Sequence, residues 1–363
     1  MELVLRILAV VGGVLISGAA VFSAIKTVIL PRAAPSLITR GAFVGTRILF
    51  RAVAPPSRSY GWQDRVLSFY APLGLVTTLV AWLALTFIGF GLIFWGLEGH
   101  VGVTDAMELS GSSLFTLGFV RPDTFWLMVV TFVEAAIGLF LLALLITYLP
   151  SMYSAFSRRE LGVTALAIRA GEPPSGREMI WRYWVLERMH RLNDVWTEWE
   201  RWFVDVEETH TSLPALVFFR SPQPDHSWVT AAGAVLDAAA LTLSSVQVER
   251  DVQAEFCIRA GYLCLRRIAD YFGIPFDPDP RADDPISITR DEWDEAVSFL
   301  ESEGVPIKPD REQAWRDFSG WRVNYDTVLL AVALLVSAPP TPWSSDRSGS
   351  TLYRPRMLGA RRR

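Results

Sequence analysis

Apolar residues run almost unbroken through three stretches, 3–30, 73–97 and 125–149. Each exceeds the roughly 18 residues that mark a membrane span. The first is interrupted only by Arg6 and closed by Lys26, whose long stem can snorkel toward a membrane surface. Gly13, Ser17, Ala20 and Ala24 recur along it at helical spacing, the composition of a close helix contact. The third span is expected to end at Pro150. Beyond it charged and apolar residues mix at helical spacing, with breaks at 171–174, 221–224, 275–285 and 339–340. The spacing predicts one strong helix over 177–207, striped by Trp181, Trp184, Val185, Met189, Leu192, Trp196, Trp199 and Phe203. Such a stripe reads as packed core, within one subunit or between two. The Ala-rich stretch 227–253 is about long enough to span, but Asp237 near its middle makes insertion costly, so it reads as a buried helix of a soluble domain. The run 328–336 is a core helix, too short to span.

Charge placement orients these spans. Residues 31–71 carry Arg32, Arg40, Arg47, Arg51, Arg58 and Arg65 against a lone Asp64. Short basic loops stay in the cytoplasm, which puts the amino terminus outside and makes the first span uncleaved rather than a signal peptide. Within the loop, 42–53 sets Phe43, Leu49 and Phe50 among arginines, as suits an amphipathic helix on the inner membrane face, its arginines toward anionic lipid. A connector touching the helical domain is the competing reading. The five arginines Arg354, Arg356, Arg361, Arg362 and Arg363 have no acid among them and make 339–363 a disordered basic tail, with anionic lipid as a second contact for it.

The whole composition adds little beyond this. It is 51% hydrophobic, with a net charge of −4, so no attraction to nucleic acid is implied. Lys26 and Lys308 are the only lysines, an arginine bias that hints at a GC-rich bacterial genome. Cys257 and Cys264 have no partners at metal-ligand spacing and read as buried thiols of a reducing compartment.

The stretch 104–123 lies between the second and third spans and is too short and polar to be a fourth. Residues 106–115 predict a short helix with Leu109 and Leu114 turned to a packed side, and Thr116-Leu117-Gly118-Phe119 follows. A segment that enters a membrane and returns leaves backbone carbonyls unpaired, tolerated where protein or a water-filled cavity surrounds them. Such carbonyls can replace the hydration shell of an ion. Glu134 sits roughly 13 Å down the third span, a depth at which an ionisable group faces protein or water. It is expected to hydrogen-bond behind the 110–116 segment, or else to fix helix packing as a structural carboxyl. Gly138 is either a bending point or a packing contact.

Here the residues carry a resemblance. Span, short helix, Thr-Leu-Gly-Phe and second span are similar to the pore module of potassium channels. They most resemble bacterial potassium-channel-like proteins with an extra amino-terminal span and a helical cytoplasmic domain. In the pattern Ser-Gly-x-x-Phe-Phe-Thr-Leu-Gly-x-Gly-Asp, Ser110, Gly111, Phe115, Thr116, Leu117 and Gly118 match. Val120 stands in place of the second glycine and Arg121 in place of the acidic residue. Similarity continues through Tyr148-Leu-Pro to Phe156-Ser-Arg-Arg-Glu160, and through His210-Thr-Ser-Leu-Pro-Ala-Leu-Val-Phe-Phe-Arg-Ser to Ser227-Trp228.

The resemblance implies an all-α membrane protein of the bacterial inner membrane. It has three transmembrane helices, a re-entrant pore loop between the second and third, and an α-helical cytoplasmic domain. The expected divisions are a first span (1–30), a basic loop (31–71), a pore module (72–150, pore loop 104–123), a cytoplasmic domain (151–338) and the tail. It implies a homotetramer passing K+ as the permeant ion, with no cofactor and no resident metal. Thr116, Leu117, Gly118, Phe119 and Val120 form the filter, supported by Ser110, Ser112, Ser113 and Glu134, with Gly138 as gate or hinge. Asp105, Glu108, Arg121 and Asp123 lie at the outer mouth. Val120 is β-branched and disfavours the left-handed angles a filter needs, and four copies of Arg121 would repel entering cations unless the acids pair with it. A weakly selective cation pore is therefore one alternative. A non-conducting receptor or scaffold that binds a partner through its cytoplasmic helices is another.

Catalytic signals are poor, and no enzyme is expected. His100, His190, His210 and His226 are not at metal-ligand spacing, and no elbow glycines flank Ser212 beside His210. Asp277, Asp279, Asp283 and Asp284 do not follow a calcium-loop pattern. No phosphate-binding or dinucleotide-binding glycine loop is present.

Overall fold

The computed structural model describes residues 1–30, 36–55, 59–98 and 102–347; Arg32, Arg58, His100 and the arginines of 354–363 lie outside these. The described residues form α1 (Glu2–Val28), α2 (Leu37–Val53), α3 (Tyr60–Leu67), α4 (Tyr70–Leu97), α5 (Val103–Leu114) and α6 (Phe125–Ala170). They continue with α7 (Gly176–Val185), α8 (Leu192–Ser212), α9 (Trp228–Ser244), α10 (Val252–Tyr271), α11 (Arg290–Ser302), α12 (Arg311–Arg322) and α13 (Asp326–Val336). Among them the only β pairing is an isolated bridge between Val246 and Ile307. The chain divides into two compact units, Met1–Arg58 with Val66–Ser154, and Ser59–Arg65 with Ala155–Arg363.

In the first unit α1 lies directly on α4, and small residues are what allow it. A Cβ placed at Gly13 would fall 2.3 Å from the Gly89 carbonyl oxygen, and one at Gly89 2.1 Å from Ser17 Oγ. The two backbones touch, the usual arrangement where apolar solvent gives helices no hydrophobic reason to associate. Arg6 is accounted for: it donates to the Glu98 carbonyl at 2.7 Å and lies over the Trp95 ring, tying the start of α1 to the end of α4. A buried polar chain joins α1, α2 and α4, with Trp82 Nε1 donating to Ser23 Oγ at 2.9 Å and Ser23 Oγ 2.5 Å from Ser36 Oγ. α2 begins at Ser36, which caps it, and is longer than the sequence pattern suggested. Phe43, Thr46 and Phe50 turn toward Tyr70, Gly74 and Thr77 of α4, while Leu37, Ile48 and Leu49 stay exposed. It thus packs along α4 with one face and keeps an apolar face exposed.

α1, α4 and α6 carry stretches long and apolar enough to cross a membrane. Pro150, where the third span is expected to end, does not end the helix: α6 runs through it. Proline removes one N–H and crowds the carbonyl four residues earlier, a cost of about 3 kcal/mol in a helix interior. Packing of the later turns offsets it: Ala155, Arg159, Val163, Leu166 and Ala170, spaced by three and four, are all buried.

The second unit is built around α9, whose residues are buried almost throughout. α7 approaches it so closely that a Cβ at Gly176 would lie 2.6 Å from the Ala238 amide nitrogen. The single helix expected over 177–207 is instead two, α7 and α8. The chain leaves α7 through Glu187 at φ 56°, where Glu187 and Arg188 amides close onto the Trp184 and Tyr183 carbonyls. This left-handed helix end satisfies terminal carbonyls without a glycine. Trp196, Trp199 and Phe203 are buried within one chain, so this half of the tryptophan stripe is intrachain core, while Trp181 and Trp184 are half-buried and Val185 is exposed. Asp64 and Tyr60 of α3, assigned from sequence to the basic loop, belong to this unit, where both bind Arg220. The expected tail boundary also moves. Residues 339–347 are packed, with Thr341 and Ser344 buried, Trp343 accepting from Arg322 at 2.6 Å and Arg347 paired with Glu292.

Candidate functional site

α5 is held by its apolar face and by hydroxyls. Ala106 and Leu109 pack with Phe90, Ile93, Phe94 and Leu127. At its start the Gly102 amide donates to Asp105 Oδ2 at 3.3 Å. Three serines then fix its last turns. Ser110 Oγ lies 2.5 Å from Glu134 Oε1 and 3.0 Å from the Phe87 carbonyl, so Glu134 does reach behind this segment. Ser113 Oγ donates to the Thr131 carbonyl at 2.6 Å. Ser112 works forward along the chain, its Oγ accepting the Val120 amide at 3.1 Å.

After Leu114 the backbone turns through a left-handed helix end. The Thr116 amide donates to the Ser113 carbonyl at 2.9 Å and the Leu117 amide to the Ser112 carbonyl at 2.8 Å. Thr116 has φ 54° and Gly118 φ 71°. The sequence placed the difficulty at Val120, but Val120 is not among the positive-φ residues, and the strain falls on β-branched Thr116 instead. Leu117 and Phe119 are 62% and 63% exposed, too open to be core of a single chain. The negative end of α5 points at this turn, which favours a cation beside it.

Gly138 sits where α6 meets the end of α5. A Cβ there would lie 2.4 Å from the Leu114 carbonyl oxygen, so the position is a backbone contact. Gly138→Ala is expected to cost about 1–3 kcal/mol through overpacking. Thermal unfolding of the detergent-solubilised chain reads this; a residue acting only as a hinge would leave the midpoint in place. At the rim, Arg121 is exposed, and among the described residues it makes no ion pair with Asp105, Glu108 or Asp123. The expected offset of its charge is absent within one chain.

The remaining candidates do not assemble into a site. His210 is buried, with Nε2 3.1 Å from Arg159 Nη1 and Nδ1 3.1 Å from Thr209 Oγ. Arginine can only donate, so Nε2 accepts and the ring is neutral. Burial first, then the Arg159 charge, hold its pKa well below the ordinary 6.5. The unfolded chain therefore takes up a proton that the fold excludes, and stability is lost as pH falls below about 6.5, by up to roughly 1.4 kcal/mol per unit. Denaturation midpoints between pH 7.5 and 5 read this slope, and His210→Asn should flatten it. Cys257 and Cys264 are unpaired and buried, with thiol pKa values pushed up by burial. Asp277, Asp283 and Asp284 bond locally to Asp279, Arg281 and the Arg281 amide. Among the described residues no group of three or more His, Cys, Asp or Glu could hold a metal ion.

The sequence singled out Ser110, Ser112, Ser113 and Glu134 but not Phe87 or Thr131, because these contribute only carbonyls, which any residue has. The arrangement and the three apolar helices define the class, an all-α membrane protein. Comparison with known proteins agrees at that level: the chain is 29% identical over 191 residues to the uncharacterized membrane protein YdjJ of Bacillus subtilis (strain 168), covering 49% of this chain. It spans 54% of that protein's length. No family profile and no solved structure matches it.

Proposed function

We propose that the chain is a potassium-channel-like pore subunit, four copies surrounding an axis in the bacterial inner membrane. α5 and 115–123 form a re-entrant loop from the outer side, and the second unit is a cytoplasmic domain whose helices gate α6. The amino terminus is outside. Carbonyl and hydroxyl oxygens of 116–120 take the place of water around K+. The observation that carries this reading is the turn after α5. Left-handed residues at Thr116 and Gly118 re-aim a backbone that Ser110, Ser112, Ser113 and Glu134 clamp from behind. The exposed Leu117 and Phe119 leave this turn facing outward from a single chain, where other copies complete it.

A second reading is favoured by Arg121, exposed and, among the described residues, without an acidic partner: a channel fold that does not conduct and serves as a receptor or scaffold. The test is cation flux through the full-length protein in liposomes. Potassium flux exceeding sodium flux is the expected result. Equal fluxes would make it a weakly selective pore. Silence in both native protein and filter variants would leave the scaffold.

A further inference from the structure

The first unit contains a groove unconnected with the turn after α5. Val14, Gly18, Val21, Phe22 and Ile25 line it along one face of α1, facing Phe90 and Ile93 of α4 and Ile137 of α6. Its volume is about 430 Å³. The one hydroxyl on its wall, Ser17 Oγ, is turned against Gly89, so the surface it offers is apolar. It extends from Val14 to Ile25, about 11 steps of helix or roughly 16 Å at 1.5 Å each.

One end of the groove is cationic. Lys26 Nζ lies 4.4 Å from the centre of the Phe22 ring. No acidic residue follows Glu2 on α1, and among the described residues Lys26 has no ion-pair partner. We propose that this groove binds one acyl chain of an anionic phospholipid, with the phosphate held by Lys26. The inference uses only the membrane class of the protein and does not depend on the pore reading.

Three physical points select this occupant. A groove between spanning helices is filled from hydrocarbon, since leaving it empty would forfeit the dispersion contacts of its lining. A whole helix, about 10 Å across, is too wide to enter it, so a second copy could lay only side chains across its mouth, whereas a single acyl chain can lie along its floor. The single charge at the end, projecting on a flexible stem from an apolar wall, meets a headgroup phosphate at the depth where lysines snorkel.

The test is native mass spectrometry of the full chain in detergent, titrated with dioleoyl phosphatidylglycerol or dioleoyl phosphatidylcholine. Wild-type protein should retain the glycerol lipid about fivefold more strongly, the scale of one lysine at an anionic headgroup. Lys26→Gln should bring it down to the choline level. Gly18 lines the groove and a Cβ there meets no atom within 4 Å, so Gly18→Phe introduces bulk at the groove wall with no backbone clash at its root. It should lower retention of both lipids. Equal retention of the two lipids by wild-type protein, or unchanged retention in Gly18→Phe, would overturn the proposal. So would a change in the number of copies per particle in Gly18→Phe with lipid retention intact, which would assign the groove to a second copy.

Discussion

Arg322→Met should destabilise the second unit by about 3–5 kcal/mol, the loss typical of removing one partner from a buried ionic cluster. Arg322 is fully buried and holds three elements at once. It donates to Asp237 on α9 at 2.5 Å, to Asp326 on α13 at 2.7 Å and to the Trp343 carbonyl at 2.6 Å. Tyr325 adds a hydroxyl to Asp237 at 2.9 Å, and Ser287 donates twice to Asp326. Without the guanidinium, two carboxylates remain where water does not reach. Burial raises the Asp237 carboxyl above its ordinary value, and the Arg322 charge and hydrogen bond oppose that rise without cancelling it. The variant therefore has a stronger pH dependence. Asp237, already raised by burial, loses the charge that opposes the rise, so its folded pKa climbs further, and the stability regained on acidification is lost as pH rises through that folded value. Denaturant unfolding of the solubilised chain at pH 5 and pH 8 separates this from a simple packing defect, which would show no recovery at the lower pH.

This cluster also marks the limit of what the sequence discloses. The apolar pattern of α9 and the short run of α13 were legible, and Asp237 marked α9 as a helix needing a buried partner for its charge. Its partner lies 85 residues away, and no periodicity links positions across that distance. The same limit explains the other departures. The break between α7 and α8 depends on backbone closure at Glu187, a residue that ordinarily continues a helix. α6 passes Pro150 because tertiary burial of its later turns outweighs a local rule. At the candidate site, residue types named the clamp, since hydroxyls and one deep carboxyl between two spans have few other tasks. They could not say which backbone positions turn left-handed. Glycine pattern put them at the missing second glycine, whereas helix termination puts one on Thr116, three residues after Ser113.

That shift changes what variants of the turn after α5 should do under the proposed pore reading. In liposomes at low ionic strength, the Val120→Gly, Arg121→Asp double variant is expected to pass at least about tenfold more potassium than the native protein, the lower end of electrostatic focusing effects. Most of the gain should come from Arg121→Asp alone. Val120 has no positive φ to relieve, and its amide is already positioned by Ser112 Oγ, so Val120→Gly by itself should add little. Arg121, exposed and unpaired with the nearby acids, puts one positive charge per copy beside the turn, and the substitution reverses all of them. If charge is the cause, the gain must shrink with salt: the screening length falls from about 30 Å at 0.01 M to about 10 Å at 0.1 M. A gain that persists at high salt would mean the backbone, not the charge, limits flux. No flux in Arg121→Asp or the double variant at any ionic strength would remove the conducting reading.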